Sequence, residues 1–214
     1  MHAAKTHARL VLFSLLALHG ASAAALDLRV GVGAGCSHPT LTAALQAVRN
    51  QAGLHNIRIN KGNYAVPDGM TYIPTVAQTG VLLEGGYDSC TAAAPSGDPT
   101  VDADRAVFDG SGGIQRSVLD LRLNGMVGTF QLRRIVLTGG DATDAGSSEI
   151  WVQSGGGLAV RGAASVLVGR GASIKGNAAV NGGGVVLTGS AVNSAETPAR
   201  IDFFIAEGAE VANN

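Results

Sequence analysis

Residues 171–187 read GASIKGNAAVNGGGVVL. The stretch joins a run of three glycines, Gly182 to Gly184, to asparagines and an apolar run, with almost no charge. Glycine costs backbone entropy in any regular element. A folded chain therefore places such a run where the backbone bends sharply or where two backbones approach closely.

This stretch is part of an internal repeat. GGGLAV begins at Gly155 and GGGVVL at Gly182, while GASIKGN begins at Gly171 and GAEVANN at Gly208. Each unit therefore runs from three glycines through an apolar strand and a variable stretch to a Gly-Ala segment with Asn. The second unit carries extra residues around 194–202, as a loop on a solenoid tolerates.

A β-solenoid coil consists of short strands joined by tight turns and stacked on the coil below. In that arrangement we expect Ile174 and Val180 to point inward. Asn177 and Asn181 would lie at turns, because asparagine tolerates the left-handed region and can stack in ladders. The three glycines would form the corner before the next strand.

One segment predicts a helix. Its apolar residues recur at the helical spacing: Leu41, Ala44, Leu45 and Val48. Thr40 is the expected N-cap and Gly53 the C-terminal stop.

The chain after Gly53 predicts short strands separated by glycine-rich turns, which favours an all-β fold. The clearest strand is SVLDLRLNG, where three leucines alternate with Asp120 and Arg122. We expect the leucines to face the core and Asp120 and Arg122 to form a surface ion pair.

Composition limits the class of protein. The 214 residues include 31 glycines, 46% hydrophobic and 4% aromatic residues, so the core is built from small and branched side chains. The formal net charge is -1 and no basic stripe appears, which makes nucleic acid an unsuitable partner.

The N-terminus has the pattern of a secretory signal peptide. Lys5 and Arg9 precede the apolar segment LVLFSLLAL, and Ala21-Ser22-Ala23 fits the cleavage pattern. The apolar segment is too short to span a membrane, although an N-terminal anchor is the alternative interpretation. We assign residues 1–25 to the signal peptide and expect no transmembrane segment in the mature chain.

Export favours a single disulfide between the two cysteines, Cys36 and Cys90. Two free buried thiols are the alternative. Neither cysteine has the spacing of a zinc site.

The segment GNAAVNGGGVVL resembles the repeat of secreted bacterial right-handed parallel β-helix proteins of the pectin-lyase-like fold. This group includes polymorphic outer-membrane-protein and autotransporter-passenger families. GCSHPTLTAALQAV resembles their N-terminal capping helix, and INKGNYAV, LLEGGYDSC and VFDGSGG resemble their strands and turns. The resemblance implies an all-β right-handed parallel β-helix with one capping α-helix. Residues 26–54 would form the cap and residues 55–214 the coils, incomplete at the C-terminus.

The search for catalytic and metal sites yields weak candidates. Asp102, Asp104 and Arg105 form DADR near Asp109 and could hold calcium, but a solvated loop is the preferred interpretation. Asp141 and Asp144 follow a strand and are interpreted in the same way.

Two further candidates, His38 and Trp151, are not catalytic in our interpretation. His38 has no evident partner, and Trp151 is better explained as a strand aromatic than as a sugar platform. The paired aspartates with Gly-His-Gly or Arg-Ile-Lys of pectin-degrading relatives are absent from the sequence. We therefore assign no catalytic, cofactor or metal residue.

These features predict a secreted, periplasmic or cell-surface module for adhesion, carbohydrate binding or surface structure, without a cofactor. Its expected partners are an extracellular polysaccharide or a host or cell surface. The alternative is a polysaccharide lyase or hydrolase of the same fold, which would need three or more carboxylates on one outer face. An open C-terminal coil would also expose strand edges, and we expect self-association there.

Overall fold

The computed structural model describes residues 25–113, 116–143, 154–189 and 200–214. These residues form an all-β structure of parallel strands with one α-helix, α1, at Leu41–Val48, and a 3-10 helix at Asp102–Asp104. No helix in these four ranges is long and apolar enough to cross a membrane.

The strands, numbered along the chain, form three large parallel sheets and one small one. The six-stranded sheet contains, in spatial order, β1 (Asp27–Val30), β2 (Leu54–Asn60), β5 (Gln78–Tyr87), β8 (Val127–Arg133), β12 (Ala164–Val168) and β16 (Ile201–Ile205). The five-stranded sheet contains β3 (Gly62–Ala65), β6 (Ala106–Asp109), β9 (Ile135–Thr138), β13 (Ser173–Lys175) and β17 (Glu210–Ala212). The four-stranded sheet contains β4 (Met70–Tyr72), β7 (Leu119–Arg122), β11 (Leu158–Arg161) and β15 (Val185–Thr188). The small sheet pairs β10 (Asp141–Ala142) with β14 (Ala178–Ala179).

The chain visits the sheets in a fixed order. From β2 onward it passes from the six-stranded to the five-stranded and then to the four-stranded sheet before it returns. Each return adds a strand in parallel register beside the previous strand of the same sheet. The chain therefore forms a stack of coils, in which each complete coil contributes one strand to each large sheet, and this arrangement is compatible with a β-solenoid. Inward side chains of all three sheets form one continuous apolar core. The three leucines predicted to face this core, Leu119, Leu121 and Leu123, are fully buried.

The predicted helix is confirmed. The Thr40 hydroxyl accepts a hydrogen bond from the Ala43 N–H at 3.2 Å, which caps the first turn. The four apolar residues that predicted the helix are its buried residues, and the helix lies against β1, β2 and β4. It ends at Val48, five residues before Gly53, where the buried Gln78 amide donates to the Val48 carbonyl at 2.6 Å.

The internal repeat corresponds to strand register. Leu158 lies beside Val185 in the four-stranded sheet, and Ile174 lies beside Val211 in the five-stranded sheet. The two sequence units are therefore consecutive coils.

The glycine runs allow these coils to approach closely. Gly182 has φ +60, in the left-handed region. At the matching run in the previous coil, a β-carbon on Gly157 would lie 2.7 Å from the Gly184 carbonyl oxygen. A larger side chain at Gly157 would push the two coils apart.

The positions predicted for Ile174, Val180 and Asn181 from the repeat have different outcomes. Ile174 is fully buried as expected, but Val180 is exposed and the inward prediction for it is wrong. Ala178 and Ala179 form a separate strand, β14, after the corner at Asn177, so the alternation that places Ile174 inside does not continue to Val180. Asn181 is exposed, and its carbonyl accepts from the Gly155 N–H of the previous coil.

The disulfide between Cys36 and Cys90 is present, with a Cα–Cα distance of 5.0 Å. It joins the segment before α1 to the segment after β5. The bond therefore connects the segment after β1, the first strand of the six-stranded sheet, to the segment after β5, the third strand of that sheet.

Candidate functional site

A cleft of about 170 Å³ opens on the outer face of the four-stranded sheet. Strands β4, β7 and β11 form its floor, with residues just before β4 and β7 at its margin. Its lining is polar and mostly charged: Asp68, Met70, Thr71, Arg116, Ser117, Asp120, Arg122 and Arg161. Side chains from three neighbouring coils therefore meet at one place.

Asp120 is the buried centre of this cleft. Its Oδ2 lies 2.9 Å from Arg122 Nε, and its Oδ1 lies 3.0 Å from Arg161 Nε. The second contact is an ion pair without hydrogen-bond geometry, so no hydrogen bond from the described residues satisfies the buried Oδ1. The Asp120 side chain is only 10% exposed.

The expected ion pair between Asp120 and Arg122 is therefore present on the outer face of the strand, but only Arg122 is exposed there, and Asp120 is buried. The reason is the stacking of coils. Arg122 and Arg161 are direct partners on adjacent strands, and both guanidinium groups cover the carboxylate between them. Such a pair is sensitive to loss of one partner, because the remaining charge is left away from water.

The same geometry orients a guanidinium. Arg122 uses Nε to hold Asp120, and its side chain remains 46% exposed. Among the described residues no hydrogen-bond partner engages its two terminal NH₂ groups, and Arg116 lies exposed at the same cleft. Guanidinium groups bind carboxylate, sulfate and phosphate oxygens in pairs of hydrogen bonds. The cleft is therefore chemically suited to an anionic group.

The DADR segment differs from the expected solvated loop. Arg105 is buried, and it donates to the Gly171 carbonyl at 3.1 Å as well as pairing with Asp102. Asp102 also accepts from Lys175 at 2.9 Å. Burial raises the pKa of Asp102, but the hydrogen bond from Lys175 and the charge of Arg105 outweigh it, so the net pKa lies below its usual value.

The other carboxylates of this region have their own partners. Asp104 accepts from the Asp98 N–H at 3.0 Å and lies 3.5 Å from Lys61 Nζ. Asp109 accepts from the Ser111 N–H at 2.9 Å. Across the described ranges, no three His, Cys, Asp or Glu side chains converge as metal ligands do.

Asp141 closes a local turn, with Thr143 donating from Oγ1 at 2.6 Å and from its N–H at 2.9 Å. Those two hydrogen bonds lower the pKa of the Asp141 carboxyl. Asp144 and Trp151 lie outside the described residues. His38 is half-buried, with Nδ1 2.9 Å from the Ser37 hydroxyl.

Sequence reasoning missed Arg161, Arg116 and Asp68. A signal for Arg161 was present, since Leu119-Asp120-Leu121-Arg122 and Leu158-Ala159-Val160-Arg161 are similar and lie in register. For Arg116 and Asp68 no local signal exists, because only the coil brings them to the cleft.

Comparison with protein-family models, with curated proteins and with solved structures finds no match to this chain.

Proposed function

We propose that the chain is a secreted or cell-surface module with the right-handed parallel β-helix fold of the pectin-lyase-like type. Its role is to bind an extended extracellular polysaccharide. The constant order of the three parallel sheets and the register of consecutive coils support this fold. A stack of coils offers long, regular outer faces, which suit polymeric partners.

The observation that carries the binding role is the position of Arg122 beside Arg161. The two guanidinium groups project from adjacent strands of one face, and the buried Asp120 holds both by Nε. Arg116 adds a third positive charge at the cleft, against the carboxylates of Asp68 and Asp120. Among the described residues that line the cleft, three arginines exceed two carboxylates, which favours a polymer with carboxylate or sulfate groups over a neutral one.

A polysaccharide lyase or hydrolase of the same fold is the alternative. Among the described residues that line the cleft, the carboxylates are Asp68 and Asp120, and the oxygens of Asp120 already face two arginines. A general base needs a carboxylate oxygen that can reach the substrate proton. Asp120 is therefore unsuited to act as a general base, and Asp68 alone does not supply the pair of carboxylates that a hydrolase uses, so we place binding ahead of catalysis.

The proposal is tested by affinity electrophoresis of the exported chain in gels containing polygalacturonate, alginate, dextran sulfate or neutral dextran. We expect the acidic polymers to retard the chain, and added salt to weaken the effect. Arg122→Ala should abolish the retardation. Arg200→Ala, which removes a largely exposed arginine directly before β16, is the matched control and should leave it unchanged.

Equal retardation by neutral and acidic polymers, or by the wild type and Arg122→Ala, would contradict the proposal. Release of unsaturated or reducing sugar ends from any of these polymers would favour the enzymatic alternative. N-terminal sequencing of the exported chain checks secretion, with cleavage expected to place the first residue between Ala24 and Leu26.

A further inference from the structure

A second polar cleft lies where the chain leaves the six-stranded sheet and turns toward the five-stranded sheet. This corner cleft has a volume of about 550 Å³ and shares no described residue with the cleft around Asp120. Strands β5, β8 and β12, or the residues directly after them, form its floor, and the segment that connects β5 to β6 forms one wall. Its charged lining residues are Glu84, Arg133, Arg134 and Arg170.

The three arginines come from two consecutive coils. Arg133 ends β8 and Arg134 follows it, while Arg170 comes just after β12, the next strand of the sheet. The Arg134 N–H donates to the Arg170 carbonyl at 3.2 Å, so the two backbones are held side by side. Among the described lining residues, Glu84 is the carboxylate that stands against these three guanidinium groups. The corner cleft therefore attracts anions.

A glycine makes room for one of these arginines. Gly169 follows β12, and its N–H donates to the Leu132 carbonyl at 2.7 Å, which places it beside Arg133. A β-carbon on Gly169 would lie 3.1 Å from Arg133 Cγ. The stem of Arg133 therefore lies across the following coil, next to the backbone of Arg170, because residue 169 has no side chain.

The three guanidinium groups differ in how far the protein itself engages them. Arg134 donates to the carbonyl groups of Ser96 and Gly97, the latter at 2.9 Å, and so fixes the wall of the cleft. Arg133 donates from one terminal NH₂ group to Gln131 at 3.3 Å. No described residue accepts a hydrogen bond from the Arg170 guanidinium, and both Arg133 and Arg170 are exposed. Two guanidinium groups on adjacent coils are therefore suited to bind one anion together.

The nearest carboxylate on the other side of Arg170 does not occupy it. Asp98 lines the neighbouring cleft with Arg170, but its Oδ1 accepts from the N–H and the hydroxyl of Thr100 at 2.8 and 2.7 Å. Those hydrogen bonds are the main cause that lowers the pKa of Asp98, and the charges of Arg134 and Arg170 act in the same direction. Asp98 is therefore held in its own turn, within the field of the arginines.

Glu84 indicates that the ligand is larger than an inorganic anion. Its Oε2 accepts from the Tyr87 hydroxyl at 2.7 Å, and no described residue donates to its Oε1. Glu84 pairs with Arg133 on the next strand, so its backbone lies two strands, roughly 10 Å, from that of Arg170. A carboxylate oxygen at that distance can accept from a hydroxyl group of a ligand whose anionic group lies at Arg170. The volume of the cleft is in the range of small-molecule sites.

We propose that the corner cleft binds a phosphate monoester carried by a sugar, with Arg133 and Arg170 on the phosphate and Glu84 accepting a sugar hydroxyl. A phosphate monoester carries nearly two negative charges and three acceptor oxygens, which two guanidinium groups match better than one carboxylate would. The proposal does not depend on polysaccharide binding at the cleft around Asp120.

Calorimetric titration of the exported chain with glucose 6-phosphate, inorganic phosphate and glucose tests the proposal. We expect glucose 6-phosphate to bind at least about tenfold more tightly than inorganic phosphate, and glucose to show no binding. Arg133→Ala and Arg170→Ala should each weaken glucose 6-phosphate binding at least about tenfold, because each removes charge-assisted hydrogen bonds. Arg200→Ala removes a largely exposed arginine outside the corner cleft and should leave the affinity unchanged.

Two further measurements identify the group that carries the phosphate. Glu84→Gln should narrow the difference between glucose 6-phosphate and inorganic phosphate, because it removes the charge that accepts the sugar hydroxyl. Vesicles that contain phosphatidic acid present a phosphate monoester on a membrane, and we expect the chain not to sediment with them.

Several results would overturn the proposal. They are the absence of glucose 6-phosphate binding, equal affinity in the wild type and Arg170→Ala, and inorganic phosphate that binds as tightly as glucose 6-phosphate. Sedimentation with the vesicles that Arg170→Ala abolishes would assign the corner cleft to a membrane surface instead.

Discussion

The side chain of Asn177 donates a hydrogen bond from Nδ2 to Oδ1 of Asn214 at 3.0 Å, across two consecutive coils. The contact belongs to a short ladder, because Asn214 Nδ2 donates in turn to the Ile174 carbonyl at 2.9 Å. On the other side, Asn177 Oδ1 accepts from the Gly140 N–H at 2.9 Å. One asparagine therefore connects three coils, which is why its buried amide is satisfied.

Replacing Asn177 with Ala should lower the free energy of unfolding by about 2 kcal/mol, because it leaves the buried Gly140 N–H without an acceptor. Asn181→Ala is the matched control. Its side chain is exposed, and the change should cost less than about 0.5 kcal/mol. Urea unfolding of the exported chain measures both, and equal costs for the two variants would rule out the ladder.

This ladder is one of the features that could be predicted from the sequence. The repeat placed Asn177 at a stacked turn, and the helical spacing identified the residues that α1 buries. In FQLRRIVL the pair Arg133-Arg134 interrupts the alternation of apolar and polar residues. Arg134 lies between β8 and β9 with φ 50, so this interruption corresponds to a turn between two sheets. These features are local or recur along the chain, and a sequence displays both.

The features that the sequence does not predict depend on contacts between coils. Burial of Asp120 follows from Arg161 on the next strand, and no property of the segment around Asp120 indicates it. His55 was not singled out, yet it is fully buried, with Nε2 2.8 Å from the Gln51 carbonyl. The inward prediction for Val180 assumes that the alternation of inward and outward side chains continues past Ile174. The chain turns a corner at Asn177, and the alternation does not continue through that corner.

Removal of the disulfide should destabilise the chain substantially. Cys36 and Cys90 are separated by 54 residues, and closing a loop of that length restricts the unfolded chain by about 4 kcal/mol in the chain-entropy model. We expect the Cys36→Ser/Cys90→Ser variant to lose about that much in urea unfolding. Reductant should destabilise the wild type and leave the variant unchanged, whereas equal sensitivity to reductant would contradict the assignment.

Alkaline pH should weaken the fold through Tyr72. Burial raises the pKa of its hydroxyl to about 12, although its hydrogen bond to Gln78 acts in the opposite direction. A folded-state pKa above the unfolded value of about 10 means that this contribution is complete below pH 10. It is lost as the pH rises from 10 towards 12.

The test compares urea midpoints of the wild type and Tyr72→Phe between pH 9 and about 12. The variant loses the hydrogen bond to Gln78 at all pH values but should show a shallower decline above about pH 10. A decline as steep as that of the wild type would mean that Tyr72 is not responsible.

Calcium should not bind tightly at Asp102, Asp104 and Asp109. Asp102 and Asp104 face cationic partners, and Asp109 accepts a local backbone N–H, so the three carboxylates are engaged in different directions. Calorimetric titration of the exported chain with calcium should show no binding at micromolar concentrations. Micromolar binding that Asp104→Ala removes would reverse this assignment and support the lyase alternative.

The central claim, that the chain is a stack of parallel coils, is tested most directly by a distance across the six-stranded sheet. Asn56, Leu82, Gln131, Leu167 and Phe204 form one row of register partners. With strands about 4.8 Å apart, the backbones at Asn56 and Phe204 lie roughly 19 Å apart although they are distant in sequence. Spin labels are placed on both cysteines of an Asn56→Cys/Phe204→Cys variant, and the labelled chain is diluted with unlabelled chain. Pulsed electron paramagnetic resonance then measures the distance between the two labels. The account predicts one narrow distance near 20 Å, allowing for the labels, and a broad distribution or a distance beyond about 40 Å would contradict it.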